Sequence, residues 1–328
     1  MIKIVVDLMG ADKPANELVS GAIKAINENK DLTVVLCAKE EVILPVLDTL
    51  TYNKEQVEIV NCTEEITNND IPTKAFRKKP DSSLVKGLNI CKNDPLAGGF
   101  VSCGSTGAVL VSSMFILGRI GEVRPCLACL LLGNDGEFLI SDCGANVDCK
   151  PEQIVDFAKM GVAYMKAKGI ENPRVRLLSN GAEEKKGPDA IKEAHQMLKA
   201  SGLNFLGNVE GKDILASTCD VVAADGFGGN TVIKTIEGTA KALFMDLLAK
   251  AKASTSEAEA LVLKKTVKEL MAKYDYNTLG GANLLGVTKP VIKGHGAGEA
   301  ETFYNMIKEA YALAKGNMIG IMEKLLTE

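Results

Sequence analysis

Three segments of this 328-residue chain place glycines and small polar residues where a backbone can grip an anion. They are Gly104-Ser105-Thr106-Gly107, Asp225-Gly226-Phe227-Gly228-Gly229-Asn230, and Asn180-Gly181-Ala182-Glu183-Glu184-Lys185-Lys186-Gly187. Each follows an apolar run and precedes a helical pattern. At such a junction, free N–H groups and the positive end of the helix dipole face one point, and glycine lets a ligand come close to the backbone. Lys185 and Lys186 add positive charge there. A fourth segment, Lys293-Gly294-His295-Gly296-Ala297-Gly298, leaves an imidazole accessible as acid, base or hydrogen-bond donor. Holding a phosphate-sized anion is the chemistry these residue types suit.

Other chemistries are disfavoured by spacing. The dinucleotide fingerprint fails, because after Gly226 and Gly228 the third required glycine is Thr231, and Gly294-His295-Gly296 is followed three residues on by Glu299. The phosphate loop ending in Gly-Lys-Ser/Thr is absent, as is the Gly-x-Ser-x-Gly elbow, and no cysteine adjoins a histidine. A covalent nucleophile is therefore not indicated, and the reaction is expected to join two bound substrates directly. Asp142 and Asp148 stand six apart in a loop that follows a strand, but such pairs usually bind Mg²⁺ only together with substrate phosphates, and capping accounts for part of the pattern. No metal and no cofactor are expected. The nine cysteines read as reduced, small apolar residues, including Cys126 and Cys129, whose redox-motif spacing falls inside an apolar run.

The elements that must position these loops are an alternation of short Val/Ile/Leu-rich runs with longer amphipathic segments. That pattern predicts an α/β protein with parallel strands covered on both faces by helices. Strands are expected over 2–7, 32–38, 57–62, 99–103, 127–132, 137–143, 174–179, 204–209, 219–224 and 290–295. Helices are expected to begin near Pro14, Glu40, Ser82, Thr106, Pro151, Pro188, Asn230, Ser256 and Glu299, with the prolines in first-turn positions where a missing N–H costs nothing. In an open α/β sheet, ligands bind beyond the carboxyl ends of the strands, where the glycine loops would converge. His195, inside the helical pattern over 190–200, reads as a surface residue.

Residues 231–275 depart from the alternation. Two helical patterns follow one another without a strand, and Ser254 with Glu257 and Ser256 with Glu259 are in capping-box register between them. A helical hairpin of roughly 30 Å per arm would overhang strands of about five residues, so it is expected to project, with its apolar stripe covered by a second copy in a homodimer. Its far end mixes Leu with Lys250, Lys252, Lys264 and Lys265, suited to peripheral contact with an anionic membrane surface. No linker or repeat divides the chain, so a single domain over 1–328 is expected, with the hairpin as an arm within it.

Composition bounds the partners. A net charge of −4, a pI near 5.5, no Trp and 5% aromatics leave neither a basic face nor stacking platforms, so nucleic-acid binding is not expected. No apolar stretch reaches the ~18 residues of a membrane span, and the start lacks the pattern of a secretory signal, so a cytoplasmic protein, at most peripherally membrane-associated, is expected.

The chain resembles the bacterial phosphate acyltransferases of phospholipid synthesis (PlsX type) in Val6-Asp7-Leu8-Met9-Gly10, Gly104-Ser105-Thr106-Gly107-Ala108, Gly118-Arg119-Ile120, Asp142-Cys143-Gly144-Ala145-Asn146-Val147-Asp148, Glu183-Glu184-Lys185-Lys186-Gly187, Asp225-Gly226-Phe227-Gly228-Gly229-Asn230 and the motif at 276–282. The match runs nearly end to end. It implies transfer of a long-chain acyl group from acyl-acyl-carrier protein, a thioester, to inorganic phosphate, giving acyl phosphate. It also implies an isocitrate/isopropylmalate dehydrogenase-like layered α/β/α architecture with a projecting helical hairpin, a homodimer and peripheral membrane association. Carried over by residue, the family's lysine and asparagine correspond to Lys186 and Asn230. The chain departs from the family pattern with Lys13, Ser105, Ala182 and Gly228, and with the glycines around His295.

Lys186, Asn230 and His295 are expected to be catalytic, and Gly104, Ser105, Thr106, Gly107, Lys185, Gly228 and Gly229 to bind phosphate. Arg77-Lys78-Lys79 is expected to dock the acidic carrier protein. The alternatives are a short-chain acyl-CoA phosphotransacylase and a non-catalytic scaffold for carrier protein or membrane.

Overall fold

The computed structural model describes residues 1–216, 218–274 and 281–327. The end of the expected arm at residue 275 and the motif residues 276–280 lie outside them. Eleven strands form one sheet: β1 (Ile2–Asp7), β2 (Leu32–Ala38), β3 (Val57–Asn61), β4 (Ala97–Ser102), β5 (Cys126–Gly133), β6 (Gly136–Ser141), β7 (Arg174–Leu178), β8 (Asn204–Val209), β9 (Val221–Ala223), β10 (Ala282–Leu285) and β11 (Val291–Lys293). Their order is β3-β2-β1-β4-β11-β10-β5-β6-β9-β7-β8.

The helices are α1 (Ala15–Glu28), α2 (Glu40–Leu47), α3 (Pro72–Lys78), α4 (Ser83–Asn93), α5 (Thr106–Ile116), α6 (Pro151–Ala167), α7 (Asp189–Ala200), α8 (Gly226–Ala253), α9 (Glu257–Tyr274), α10 (Ala300–Lys315) and α11 (Met318–Thr327). α1 packs on α10 and β2, α10 lies on β1 and β4, α4 and α5 pack together with α4 also on β1 and β4, and α6 covers β6 and β9. Gly21 permits the first of these contacts, since a Cβ there would overlap the Ala300 carbonyl. Buried side chains from Ile4 to Met322 make one continuous core.

The expected all-parallel sheet is corrected at its centre, where β10 and β5 each run antiparallel to both neighbours. The cause at β5 is the two-residue connection Asn134-Asp135 to β6, which can join only antiparallel strands. Consequently β1, β2, β3, β4 and β11 point one way while β6, β7, β8 and β9 point the other. The halves are staggered along β5: β10 pairs with residues 126–129 and β6 with residues 128–133. Lys293 ends β11 opposite Ala282, itself opposite Cys129, and Ser141 ends β6 opposite Ala128. The carboxyl ends of the opposed halves therefore meet beside the middle of β5.

Three elements were not expected from the sequence. β10 is a four-residue strand, Ala-Asn-Leu-Leu, without a β-branched residue. α3 is a short helix started by Pro72, and α11 is split from α10 at Gly316, where a Cβ would overlap the Ala167 carbonyl. The hairpin is present as α8 and α9, with the Ser256 hydroxyl accepting from the Glu259 N–H at the turn. Beyond Ile233, α8 buries only Ala251, and Leu243 and Leu261 are 58% and 69% exposed. Among the described residues no helix is long and apolar enough to cross a membrane.

Candidate active site

A cavity of about 190 Å³ opens where the two sets of carboxyl ends meet. Its lining includes Thr106 from the start of α5, Asn230 and Ile233 from α8, and Cys129 from β5. Cys143 just after β6, Lys234 and Glu237 of α8, Lys293 at the end of β11 and His295 just beyond it also line it. Residues more than 180 positions apart in sequence thus share one space, because β11 inserts between β4 and β10.

The α5 side is set by a buried relay. The Ser102 hydroxyl donates to Asp7 Oδ2 at 2.7 Å and accepts the Gly104 N–H at 3.0 Å, while the Met9 N–H donates to Asp7 Oδ1. Burial pushes the Asp7 carboxyl up to about 6. Gly104 is thereby committed to anchoring the loop. Its neighbours Ser105, Thr106 and Gly107 make up the first turn of α5, and among the described residues their N–H groups have no protein partner. They are the amides available to an anion on this side.

The α8 side is arranged differently from expectation. Gly226 to Gly229 form the first helical turn, so α8 begins before Asn230. The Gly228 N–H donates to the Asp225 carboxylate at 2.6 Å and the Gly229 N–H to the Asp225 carbonyl at 2.9 Å, so both expected phosphate ligands already have partners. The glycines serve close packing: a Cβ at Gly229 would overlap the Asp142 carbonyl oxygen, and one at Gly226 would crowd the Asn146 carbonyl. Asn230 follows on the open side of the turn, with Gly144 against its side chain.

Asp142 fixes this wall. It is 0% exposed, and its Oδ1 accepts the N–H groups of Leu127, Cys143 and Ala145, while Oδ2 accepts the Asn146 N–H and amide. Burial raises its pKa against the pull of those donors. Cys143 stands 3.1 Å from Cys129, sulfur to sulfur, and hydrogen bonding to that thiol together with burial keeps Cys143 well above the ordinary thiol range. A protonated thiol of this kind is a poor nucleophile, in keeping with direct transfer.

Lys185 and Lys186 are exposed on the loop after β7 and do not line the cavity. They share its edge of the sheet, since β7 pairs with β9 and a Cβ at Gly228 would lie 3.3 Å from Leu178 at the end of β7. This loop is held by a residue misjudged from sequence. His195 is not at the surface but 5% exposed, with Nδ1 2.8 Å from Asn208 Oδ1, and the Asn208 amide donates to the carbonyls of Gly181 and Glu183. The signal was available, because His195 falls in the stripe of Ile191, Ala194 and Leu198 that α7 buries.

His295 is exposed, and its Nδ1 accepts the Ala297 N–H at 3.2 Å, which leaves Nε2 to carry the proton of the neutral ring. Of the docking triplet, Arg77 lies over the stacked rings of Phe76 and Phe115, and Lys78 is exposed. Lys79 is taken up by the Asp70 carboxylate at 2.7 Å and the Glu65 carbonyl, so its charge is internally matched.

The family model described as fatty acid synthesis protein matches residues 2–320. A phosphate acyltransferase of Clostridium tetani is 42% identical over 329 residues, covering 99% of this chain and 98% of that one. Among solved structures, a phosphotransacetylase from Streptococcus pyogenes superposes with a TM-score of 0.62 at 18% identity, covering 97% of this chain and 94% of its own. A 4-hydroxythreonine-4-phosphate dehydrogenase from Klebsiella pneumoniae gives 0.51 at 10% identity, covering 95% and 99%. At those identities the two structures speak for the layered α/β fold alone. On the family model and the full-length relative together, the chain belongs to the fatty acid synthesis protein family, the family of the phosphate acyltransferases.

Proposed function

We propose that this protein is a phosphate acyltransferase that moves a long-chain acyl group from acyl-acyl-carrier protein to inorganic phosphate, giving acyl phosphate for phospholipid synthesis. The observation that carries the reading is the convergence of Thr106, Asn230 and His295 on one cavity in a chain so similar to phosphate acyltransferases. Phosphate is already an anionic nucleophile at neutral pH, so catalysis is chiefly positioning beside the thioester carbonyl. The free amides of Ser105, Thr106 and Gly107 hold it, and Lys186 with Lys185 draws it to the mouth. A phosphate oxygen attacks the carbonyl carbon, the C–S bond breaks, and the proton of the phosphate dianion ends on the departing thiol, so charge and atoms balance. Asn230 and the Nε2–H of His295 donate to the carbonyl oxygen as charge develops on it.

The test is a product trap. With palmitoyl-carrier protein, hydroxylamine should capture acyl phosphate as hydroxamate only when phosphate is present, and acetyl-CoA should be a poor donor. A preference for acetyl-CoA would favour the short-chain phosphotransacylase reading, and no phosphate-dependent hydroxamate from any donor would leave a scaffold. In the same assay, replacing Arg77 and Lys78 by alanine should raise the KM for carrier protein more than it lowers kcat. An unchanged KM at low salt would remove that docking face.

The hairpin extends the reading. An apolar groove of about 990 Å³, lined by Leu215, Ile236, Ala240, Leu243, Phe244 and Leu247, runs along α8 and stays open among the described residues of one copy. A homodimer closes it, and the exposed tip with Leu261, Val262, Lys264 and Lys265 rests on anionic lipid. Leu243→Glu is expected to give monomers in sedimentation, and an intact dimer would exclude this interface. Retention of that variant on anionic vesicles would be read separately, and loss of wild-type binding to them would remove the membrane contact. The single-domain reading over 1–328 rests on the continuous core, and the isocitrate/isopropylmalate dehydrogenase-like architecture on the layered sheet with its arm.

A further inference from the structure

The cavity holds a cation that none of the sequence assignments included. Lys293 is the last residue of β11, fixed on one side by pairing with Ser102 of β4 and on the other with Ala282 of β10, and the ladder continues through the Gly294 N–H to the Ser102 carbonyl. Its backbone therefore has little freedom, and its side chain lines the cavity beside Thr106, Asn230 and His295. The cavity's carboxylate, Glu237, is 2.7 Å from Lys234. No carboxylate among the described residues forms an ion pair with Lys293, and burial pulls its ammonium below the ordinary lysine range, opposed by Asp12 and the Cys103 thiol nearby. A half-buried charge without a partner is costly, and an anion bound beside it offsets that cost.

We propose that Lys293 is a catalytic residue that binds the attacking phosphate directly, between the first turn of α5 and Asn230. This rests on the acyl-transfer reading. Lys186, exposed on the neighbouring loop, then acts at the mouth, while Lys293 carries the charge contact in the reacting complex. Holding the dianion from one side, with the ammonium and the partial positive charge of the α5 amides, leaves its far oxygen free to attack the carbonyl carbon. As the C–O bond forms and the C–S bond breaks, the phosphate proton passes to sulfur, and Lys293 keeps all its protons and stays on the product phosphoryl group.

Lys293→Met and Lys293→Arg test this in the full-length protein. Phosphate binding is measured by titration calorimetry with inorganic phosphate alone, and turnover by the hydroxamate assay. Lys293→Met is expected to weaken phosphate binding and raise the KM for phosphate about 100-fold, leave the KM for the thioester within twofold, and melt like the parent. Lys293→Arg should recover part of the binding. The parent's kcat/KM for phosphate should fall on the alkaline side below the ordinary lysine pKa, and that limb should move to higher pH in the arginine variant. The charged groups facing Lys293, namely Asp12, Cys103, His295 and the Lys234–Glu237 pair, are unchanged in both variants. Phosphate binding and KM unaltered in a folded Lys293→Met would overturn the assignment even if the parent makes acyl phosphate. A parent that makes none, yet loses phosphate binding on this substitution, would retain the anion site and reject the acyl-transfer reading.

Discussion

Asn230→Ala should lower phosphate-dependent consumption of the acyl thioester by about 10²–10³-fold, the usual loss when one oxyanion donor is removed. Stability should hardly change, because the side chain is exposed on the open side of the first turn of α8, and substitutions at such positions stay within about 0.5 kcal/mol. The pairing of these outcomes is what identifies a donor to the reacting carbonyl. The measurement is kcat with saturating thioester and phosphate, alongside a thermal melt. A folded variant within twofold of the parent would remove Asn230 from the reaction. Lys186→Ala run in parallel should act mainly through the KM for phosphate, since that ammonium lies outside the cavity lining.

Asp142→Ala is expected to be the most damaging substitution for the fold, at about 3–5 kcal/mol. It strands the buried N–H groups of Leu127 and Asn146 and the half-buried one of Ala145, while Cys143 keeps the Leu127 carbonyl as an acceptor, and each unmet buried donor costs about 1–3 kcal/mol. Asp142→Asn should be nearly as harmful despite its matching shape. Both carboxylate oxygens only accept here, and an amide NH₂ in either position points a donor at donors. Denaturant midpoints for the two variants give the answer, and an asparagine variant within 0.5 kcal/mol of the parent would show that the wall tolerates the reversal. Activity should fall in step, because the Asp142 carbonyl is the surface on which Gly229 packs and from which Asn230 takes its place.

Local signals carried much of the fold. Pro151 begins α6 and Thr106 begins α5 where first-turn logic puts them, and the strands over residues 32–38 and 204–209 follow from their apolar runs. Strand direction was less accessible, although Asn134-Asp135 between two apolar runs was a local clue to the antiparallel turn at β5. β10 gave no such clue: its burial comes from the strands on either side, and its four side chains carry no strand preference. The same division runs through the site. Asn230, Thr106 and His295 were picked out by glycine context and resemblance, and they line one cavity. Gly229 was misread because a glycine that admits a ligand and a glycine that admits a carbonyl look alike in sequence, and Gly228 because nothing along the chain shows that the Asp225 carboxylate takes its N–H. Lys293 was passed over beside His295, since nothing along the chain reveals which lysine is left without a carboxylate.

The last strands to leave the ribosome, β10 and β11, occupy the middle of the sheet. Until they emerge, β4 and β5 each present a bare flank of unsatisfied amides and carbonyls at the heart of the protein, the kind of template on which nascent chains clump. Completion of the candidate pocket and closure of that flank are thus a single late event in biogenesis, and a chain cut short before residue 282 should be insoluble and, on the proposed function, inert.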